Sequence, residues 1–222
     1  MRAFHFTAAP YALENIRHQR LKVARIMDLN DPFEFLCGDL ADPKARRAFR
    51  AFKEYESRRS GLLCFSKGWR NPLMWSHYGD SHKGAVLEFE LNDELPEAVA
   101  YESNRFPFDV PSILAAGGFS EEHARRIYAT KAAHWRYERE LRVATRLSEC
   151  IVDNDLYFEP FSKDMRLVGL ILGPFCELTP EQVRGAVPAG VHIRLRRARL
   201  AFRSFNVVRD KSFLEELIHD KA

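Results

Sequence analysis

Two glutamates spaced two residues apart, Glu138 and Glu140, with Arg142 next in line, are the strongest chemical signal in this 222-residue chain. They lie in Trp135-Arg136-Tyr137-Glu138-Arg139-Glu140-Leu141-Arg142-Val143, whose pattern predicts a β-strand over about 137–146. Strand side chains alternate between faces, so Glu138, Glu140 and Arg142 would share one side and Leu141 and Val143 the core side. Like charges that close raise the free energy of a strand unless solvent screens them or a ligand uses them. Two readings follow: a solvated face carrying a Glu–Arg pair, or an acid pair on the floor of a cleft.

Other polar and aromatic groups emerge from predicted core elements. His5 lies opposite Phe4 and Phe6 on a short strand, Ala3 to Thr7, and Ser66 ends the apolar strand Gly61 to Ser66. Trp75 and Tyr78 are three apart on a short helix, Leu73 to Tyr78, and share a face. Singly, each has a structural explanation, as a half-buried histidine or as core aromatics. Together they supply an imidazole, hydroxyls, aromatic planes and carboxylates. A planar cationic ligand would use such a set: rings to stack on, and a carboxylate to stabilise developing positive charge.

Several classes are excluded by missing signatures. The sequence has no Walker loop, G-x-G-x-x-G, G-x-S-x-G or H-E-x-x-H. His77 and His82 would diverge on a helix, and Cys37, Cys64, Cys150 and Cys176 form no C-x-x-C pair, so no metal centre is expected. Lys+Arg number 34 against 31 Asp+Glu, which by itself implies no polyanionic partner. From Arg184 to Lys211, however, eight basic residues stand against one acid, Asp210. That run, including Arg194 and Arg196, is either a solvated strand face or a contact for an anionic partner.

The elements that must hold these groups are punctuated by turns and caps. Helices are predicted at Tyr11–Gln19, from Asp42-Pro43 to Ser60-Gly61, at Leu73–Tyr78 behind Asn71-Pro72, from Ser120 to about His134, behind the box Thr179-Pro180-Glu181-Gln182, and beyond Ser212. Strands are predicted at Leu21–Met27, Gly84–Leu91, Val99–Glu102, Leu167–Leu172, Val191–Leu195 and Phe205–Arg209. In the second of these, Ala85, Leu87, Phe89 and Leu91 would face in, and Val86, Glu88 and Glu90 out. Phe106 to Phe119 reads as a loop. With 46% apolar residues and no linker, the chain is expected to be one α+β domain, residues 1–222, with a mostly antiparallel sheet and inserted helices. No apolar stretch nears the ~20 residues of a membrane span, and the first residues lack a signal-type apolar run. A reducing cytoplasm with free thiols is the expected setting.

The segments NDPFE (30–34), LLCFSKGWRNPLMWSHYGDSHKGAVLEFE (62–90), WRYERELRV (135–143) and LILGP (170–174) resemble a bacterial family of unknown function marked by N-D-P-F-E, M-W-S-H-Y-x-x-x-H-K-G and W-x-Y-E-x-E-x-R. A more distant likeness carries chemistry. FHFTAAPYALENIRHQRLKVA (4–24), LLCFSKGWRNPLMWSHY and the E-x-E strand are similar, in that order, to parts of the ADP-ribosyltransferases: poly(ADP-ribose) polymerases and DNA-modifying toxins. The resemblance implies a split, mostly antiparallel sheet and cleavage of the nicotinamide–ribose bond of NAD, by transfer to a nucleic acid or protein or by hydrolysis, in a toxin or phage-defence effector. It implies that His5 holds the ribose, the Phe6 backbone the nicotinamide amide with Thr7 beside it, and Tyr78, with Trp75, stacks on nicotinamide. Glu140 would be the catalytic acid, Glu138 would orient the acceptor, and Arg194 and Arg196 would contact it. Cys64 stands where that family has its triad tyrosine, with Ser66 the nearest hydroxyl, and Phe6 stands where it has glycine. Two other classes remain open: a non-catalytic nucleotide- or nucleic-acid-binding module, and a nuclease using Glu138, Glu140 and Asp31 with Mg²⁺.

Overall fold

The computed structural model describes residues 1–219. Strand β1 (Arg2–Thr7) leads into helix α1 (Ala9–His18), and the short strands β2 (Arg20–Lys22) and β3 (Ala24–Arg25) follow. Next come α2 (Pro43–Ser57), β4 (Ser60–Ser66), α3 (Pro72–His77), β5 (Ala85–Leu91), β6 (Glu97–Ala98) and β7 (Ala100–Glu102). The middle of the chain forms α4 (Val110–Ala115), α5 (Glu121–Tyr128), β8 (Thr130–Ala132), a 3-10 helix over Ala133–Glu138 and β9 (Glu140–Arg146). Beyond it lie β10 (Ile151–Asp153), β11 (Leu156–Pro160), β12 (Met165–Leu172), α6 (Pro180–Arg184), β13 (Ile193–Leu200), β14 (Val207–Arg209) and β15 (Glu216–Ile218).

The helix starts follow their capping chemistry. The side chains of Asp42, Asn71, Ser120 and Thr179 each accept a hydrogen bond from a backbone N–H in the first turn, and the last two complete capping boxes. Helix ends and strand limits differ more from expectation. The helix expected to reach His134 stops at Tyr128, because Thr130–Ala132 pair in parallel with Ala100–Glu102. The expected loop Phe106–Phe119 contains α4, capped by Asp109 with a proline in its first turn. The helix expected beyond Ser212 is replaced over the described residues by β15, paired with β13, while residues 220–222 lie outside the description.

The main sheet runs β14-β13-β12-β5-β1-β4-β9-β6, with β15 beside β13 and β3 beside β4. Its pairings are antiparallel except β12 with β13. Both faces are covered. Leu63, Phe65, Leu87, Phe89, Leu141, Leu170 and Leu195 pack with α1 and α6 on one side. Phe4, Phe6, Val86, Ile171 and Ala198 pack with Met74 and Trp75 of α3 on the other. Val86 and Glu88, expected to face outward, are therefore buried.

One irregularity makes the site. β1 and β4 share a single register pair, Phe4 with Ser66, while β4 stays paired to β9 from Ser60 to Ser66. At the far end of β4, β3 takes the position beside it, Ala24 against Leu62. Between these two contacts the sheet is split.

Candidate active site

The split opens as a cavity of about 250 Å³. Phe4, His5 and Phe6 line one wall, Cys64, Phe65 and Ser66 the other, and Met74 of α3 and Tyr78, the residue that caps its C-terminal end, close one side. Lys131, Glu138 and Glu140 form a polar end with Glu34. That volume is just below the usual range for small-ligand sites, and the apolar walls with few converging polar groups have the usual character of one.

His5 bridges the gap. Its Nδ1 lies 2.9 Å from the carbonyl oxygen of Cys64. A carbonyl can only accept, so Nδ1 carries the proton. Burial lowers the histidine pKa, opposed in part by that hydrogen bond, so the ring is neutral and Nε2 is an acceptor. Cys64 beside it is held as a thiol, because burial and then the Glu140 charge push its pKa well up, and it is no nucleophile.

Glu138 and Glu140 do not share a strand. Glu138 ends the 3-10 helix, Arg139 takes a left-handed conformation (φ 47°), and β9 begins at Glu140. The turn nonetheless sends both carboxylates to one place. They are 3% and 6% exposed, which rules out the solvated-face reading. Lys131 Nζ lies 2.6 Å from Glu138 Oε2 and 3.2 Å from Glu140 Oε2. Arg142 donates from Nε to Glu140 Oε1 at 2.9 Å, and grips Glu34 with both terminal nitrogens, at 2.5 and 3.0 Å. Tyr78 Oη donates to Glu138 Oε1 at 2.5 Å and accepts from Asn30 Nδ2 at 2.7 Å. Three carboxylates thus meet two cations, leaving an excess of one negative charge.

The environments push the two carboxyls apart. Burial raises the pKa of Glu138, and Lys131 and Tyr78 counter it only in part. Burial acts on Glu140 too, but Arg142 and then Lys131 outweigh it and leave Glu140 below its ordinary value. Glu140 is ionised at neutral pH, and Glu138 is the one suited to exchange a proton. Burial alone would lower the Lys131 pKa, but Glu140, Glu138 and Glu34 raise it, so the amine stays charged.

Six of the ten residues expected at a site, His5, Phe6, Ser66, Tyr78, Glu138 and Glu140, line this cavity. Ser66 is there as a fastener: its hydroxyl donates to the Glu138 carbonyl at 2.6 Å and accepts from Gly68 N–H at 3.2 Å. Thr7 ends β1 against Ala85 and does not line the cavity. Trp75 corrects the expectation of a stacking pair. It is fully buried, with its indole N–H on the Trp69 carbonyl and its ring edge-on to Phe6, so no ligand reaches it. Arg194 and Arg196 are also elsewhere, on β13, three strands from β1, where they pair with Glu88. Lys131 and Glu34 were missing from the expected set. Glu34 was visible in the N-D-P-F-E turn, whereas Lys131 has no local signal and is brought in by β8.

Among the described residues no group of three or more His, Cys, Asp or Glu could hold a metal ion. Lys131 and Arg142 lie against the carboxylates a metal would need. The four cysteines are all free thiols, and no helix is long and apolar enough to cross a membrane. No family model, curated protein or solved structure matches the chain.

Proposed function

We propose that the cavity binds the nicotinamide-ribose end of NAD and cleaves the bond between them, passing ADP-ribose to a macromolecular acceptor or to water. The observation that carries this reading is the convergence of His5, Tyr78, Glu138 and Glu140 on one split in the sheet. The cavity has room for a ring and part of a sugar, with Phe4, Phe6, Phe65 and Met74 as apolar walls. His5 Nε2 would accept a hydrogen bond from a ribose hydroxyl. Tyr78 would flank the ring. Glu140, ionised at neutral pH, would stabilise positive charge developing on the ribose as nicotinamide leaves. Glu138, with its raised pKa, would take the proton from the attacking hydroxyl. A role as toxin or phage-defence effector in a bacterial cytoplasm rests on the sequence resemblance alone.

The purified protein is expected to release nicotinamide from NAD, and Glu140→Gln to lower that rate by about a hundredfold or more. Wild-type protein that releases none, or a variant as active as wild type, refutes the proposal.

One observation favours a second reading, a non-catalytic nucleotide-binding module. Every carboxylate oxygen of Glu138 and Glu140 already has a donor within the protein. That reading expects NAD to raise the melting temperature without turnover. The Mg²⁺ nuclease is disfavoured by Lys131 and Arg142, and Asp31 does not line the cavity.

A further inference from the structure

The hairpin joining β13 to β14 carries two of the most exposed aromatic side chains in the protein, Phe202 (88%) and Phe205 (98%). Neither ring belongs to a hydrophobic cluster of the core. The Arg199 guanidinium lies 4.1 Å from the centre of the Phe202 ring. A recess of about 570 Å³ runs beside the tip, lined by Phe202, Arg203, Phe205, Asn206 and, from the far side, Pro72 and His82. The hairpin is tied at its base, where Val207 N–H donates to the Arg70 carbonyl at 2.9 Å and Ala201 N–H to Asn206 at 3.0 Å. The rings are therefore presented on a braced loop.

The basic run that contains this hairpin sorts into two kinds of residue. Arg184, Arg194, Arg196 and Arg209 pair with glutamates, and Arg197 donates to the carbonyls of Cys176 and Leu178. Arg199, Arg203 and, beyond the hairpin, Lys211 have no ion-pair partner among the described residues, nor does Arg70, whose backbone anchors the hairpin. Two arginines without an ion-pair partner, Arg199 and Arg203, thus stand on the same hairpin as the exposed rings.

We infer that this hairpin is a docking surface for single-stranded nucleic acid, with Phe202 and Phe205 as stacking platforms and Arg70, Arg199 and Arg203 as phosphate contacts. Unpaired bases present flat π-faces on a polyanionic backbone, and exposed aromatics among arginines match both features. The recess beside the rings suits a splayed base better than it suits a membrane, which would meet a closed apolar tip. The surface is separate from the cavity in the split sheet, so the inference stands or falls independently of NAD chemistry.

The test is fluorescence anisotropy of a labelled oligothymidylate about a dozen nucleotides long, titrated with the full chain at several salt concentrations. Saturable binding is expected. Its logarithmic salt slope should be about −2 if three phosphates are neutralised. Phe202→Ala with Phe205→Ala should weaken binding at least about tenfold with an unchanged melting temperature, since neither ring is buried. Arg199→Ala with Arg203→Ala should flatten the salt slope. The inference is overturned by no saturable binding, by binding indifferent to both pairs of substitutions, or by preferential binding to vesicles containing anionic lipid.

Discussion

Two clusters of glutamate and arginine lie on the same face of the main sheet, and they are built to opposite ends. Residues in register across six strands form one row: Glu140, Ser66, Phe4, Glu88, Gly169 and Arg194. At one end Glu140 joins Glu34, Glu138, Lys131 and Arg142, three acids to two bases. Toward the other, Glu88 meets Arg2, Arg194 and Arg196, one acid to three bases. In the first cluster all five side chains are 6% exposed or less. In the second only Glu88 is buried to that degree, and Arg2 and Arg194 are 42% and 40% exposed. Arginines that reach water can lose a partner cheaply. Carboxylates sealed beside a cavity cannot, and their proton affinities are set by their neighbours. That difference is the reason the proposed site is placed at the Glu138–Glu140 end.

The largest contrast is expected from removing the central cation of the sealed cluster. Arg142→Leu leaves Glu34 and Glu140 buried with only Lys131 to balance them, and should cost about 3–5 kcal/mol of folding stability by urea denaturation. Adding Glu34→Gln should return part of that loss, because it removes one of the stranded charges. A loss under about 1 kcal/mol for Arg142→Leu would mean the two clusters do not differ as described.

The pH dependence of stability comes next. Glu138 has a folded pKa above its ordinary value of 4.5, so the folded state holds its proton more tightly. Stability from this group therefore falls as pH rises from about 4.5 through the folded pKa. Glu140 is shifted down and acts oppositely, contributing stability above about pH 4.5 that is lost as pH falls through its folded value. Glu138→Gln should remove a fall of up to about 1.4 kcal/mol per pH unit, so its stability relative to wild type should improve with rising pH. If the difference between the two proteins is flat from pH 4 to 8, the raised proton affinity of Glu138 is wrong.

Tyr78→Phe probes the same carboxyl from the cavity side, with a smaller effect. It deletes the hydroxyl that donates to Glu138 and accepts from Asn30, and should cost about 1–2 kcal/mol. The Tyr78 hydroxyl lowers the proton affinity of Glu138, so its loss should move the group's titration, and any activity profile that follows it, toward higher pH. A shift to lower pH would show that Glu138 does not govern that profile.

Local chemistry was readable in the sequence, and long-range placement was not. Helix starts were fixed by caps such as Asn71 and Thr179, whose partners are two or three residues away. The pair Asp109 and Pro111 carries the same signal for α4, inside a stretch whose prolines and glycines read as a loop. The E-x-E pattern drew attention to the right carboxylates for a reason the structure replaces: they meet through a left-handed turn at Arg139, not by strand alternation. Lys131 could not be read at all, since what brings it to Glu138 is the parallel pairing of β8 with β7. For Arg194 and Arg196 the basic run does not say where the counter-charge is. Glu88 supplies it from β5, two strands away. Trp75 was misread because helical spacing puts it on a face with Tyr78 without saying that this face is the core.

Glu88→Gln should have the smallest effect, and its reason lies in a glycine. Glu88 stands directly across from Gly169 on β12, and a Cβ there would come within 2.8 Å of its Oε2. The missing side chain lets the carboxylate lie across β12 to reach the arginines of β13. Glutamine keeps that path and one acceptor oxygen; all three arginines lose the Glu88 charge, but Arg2 and Arg194 turn to water and only Arg196, 17% exposed, has little solvent to replace it. The expected cost is about 1 kcal/mol, by the same urea titration. Nicotinamide release, if present, should be unchanged. A loss as large as that of Arg142→Leu, or an activity that falls with it, would make the two clusters one coupled system along the row and remove the ground for assigning the site to one end of it.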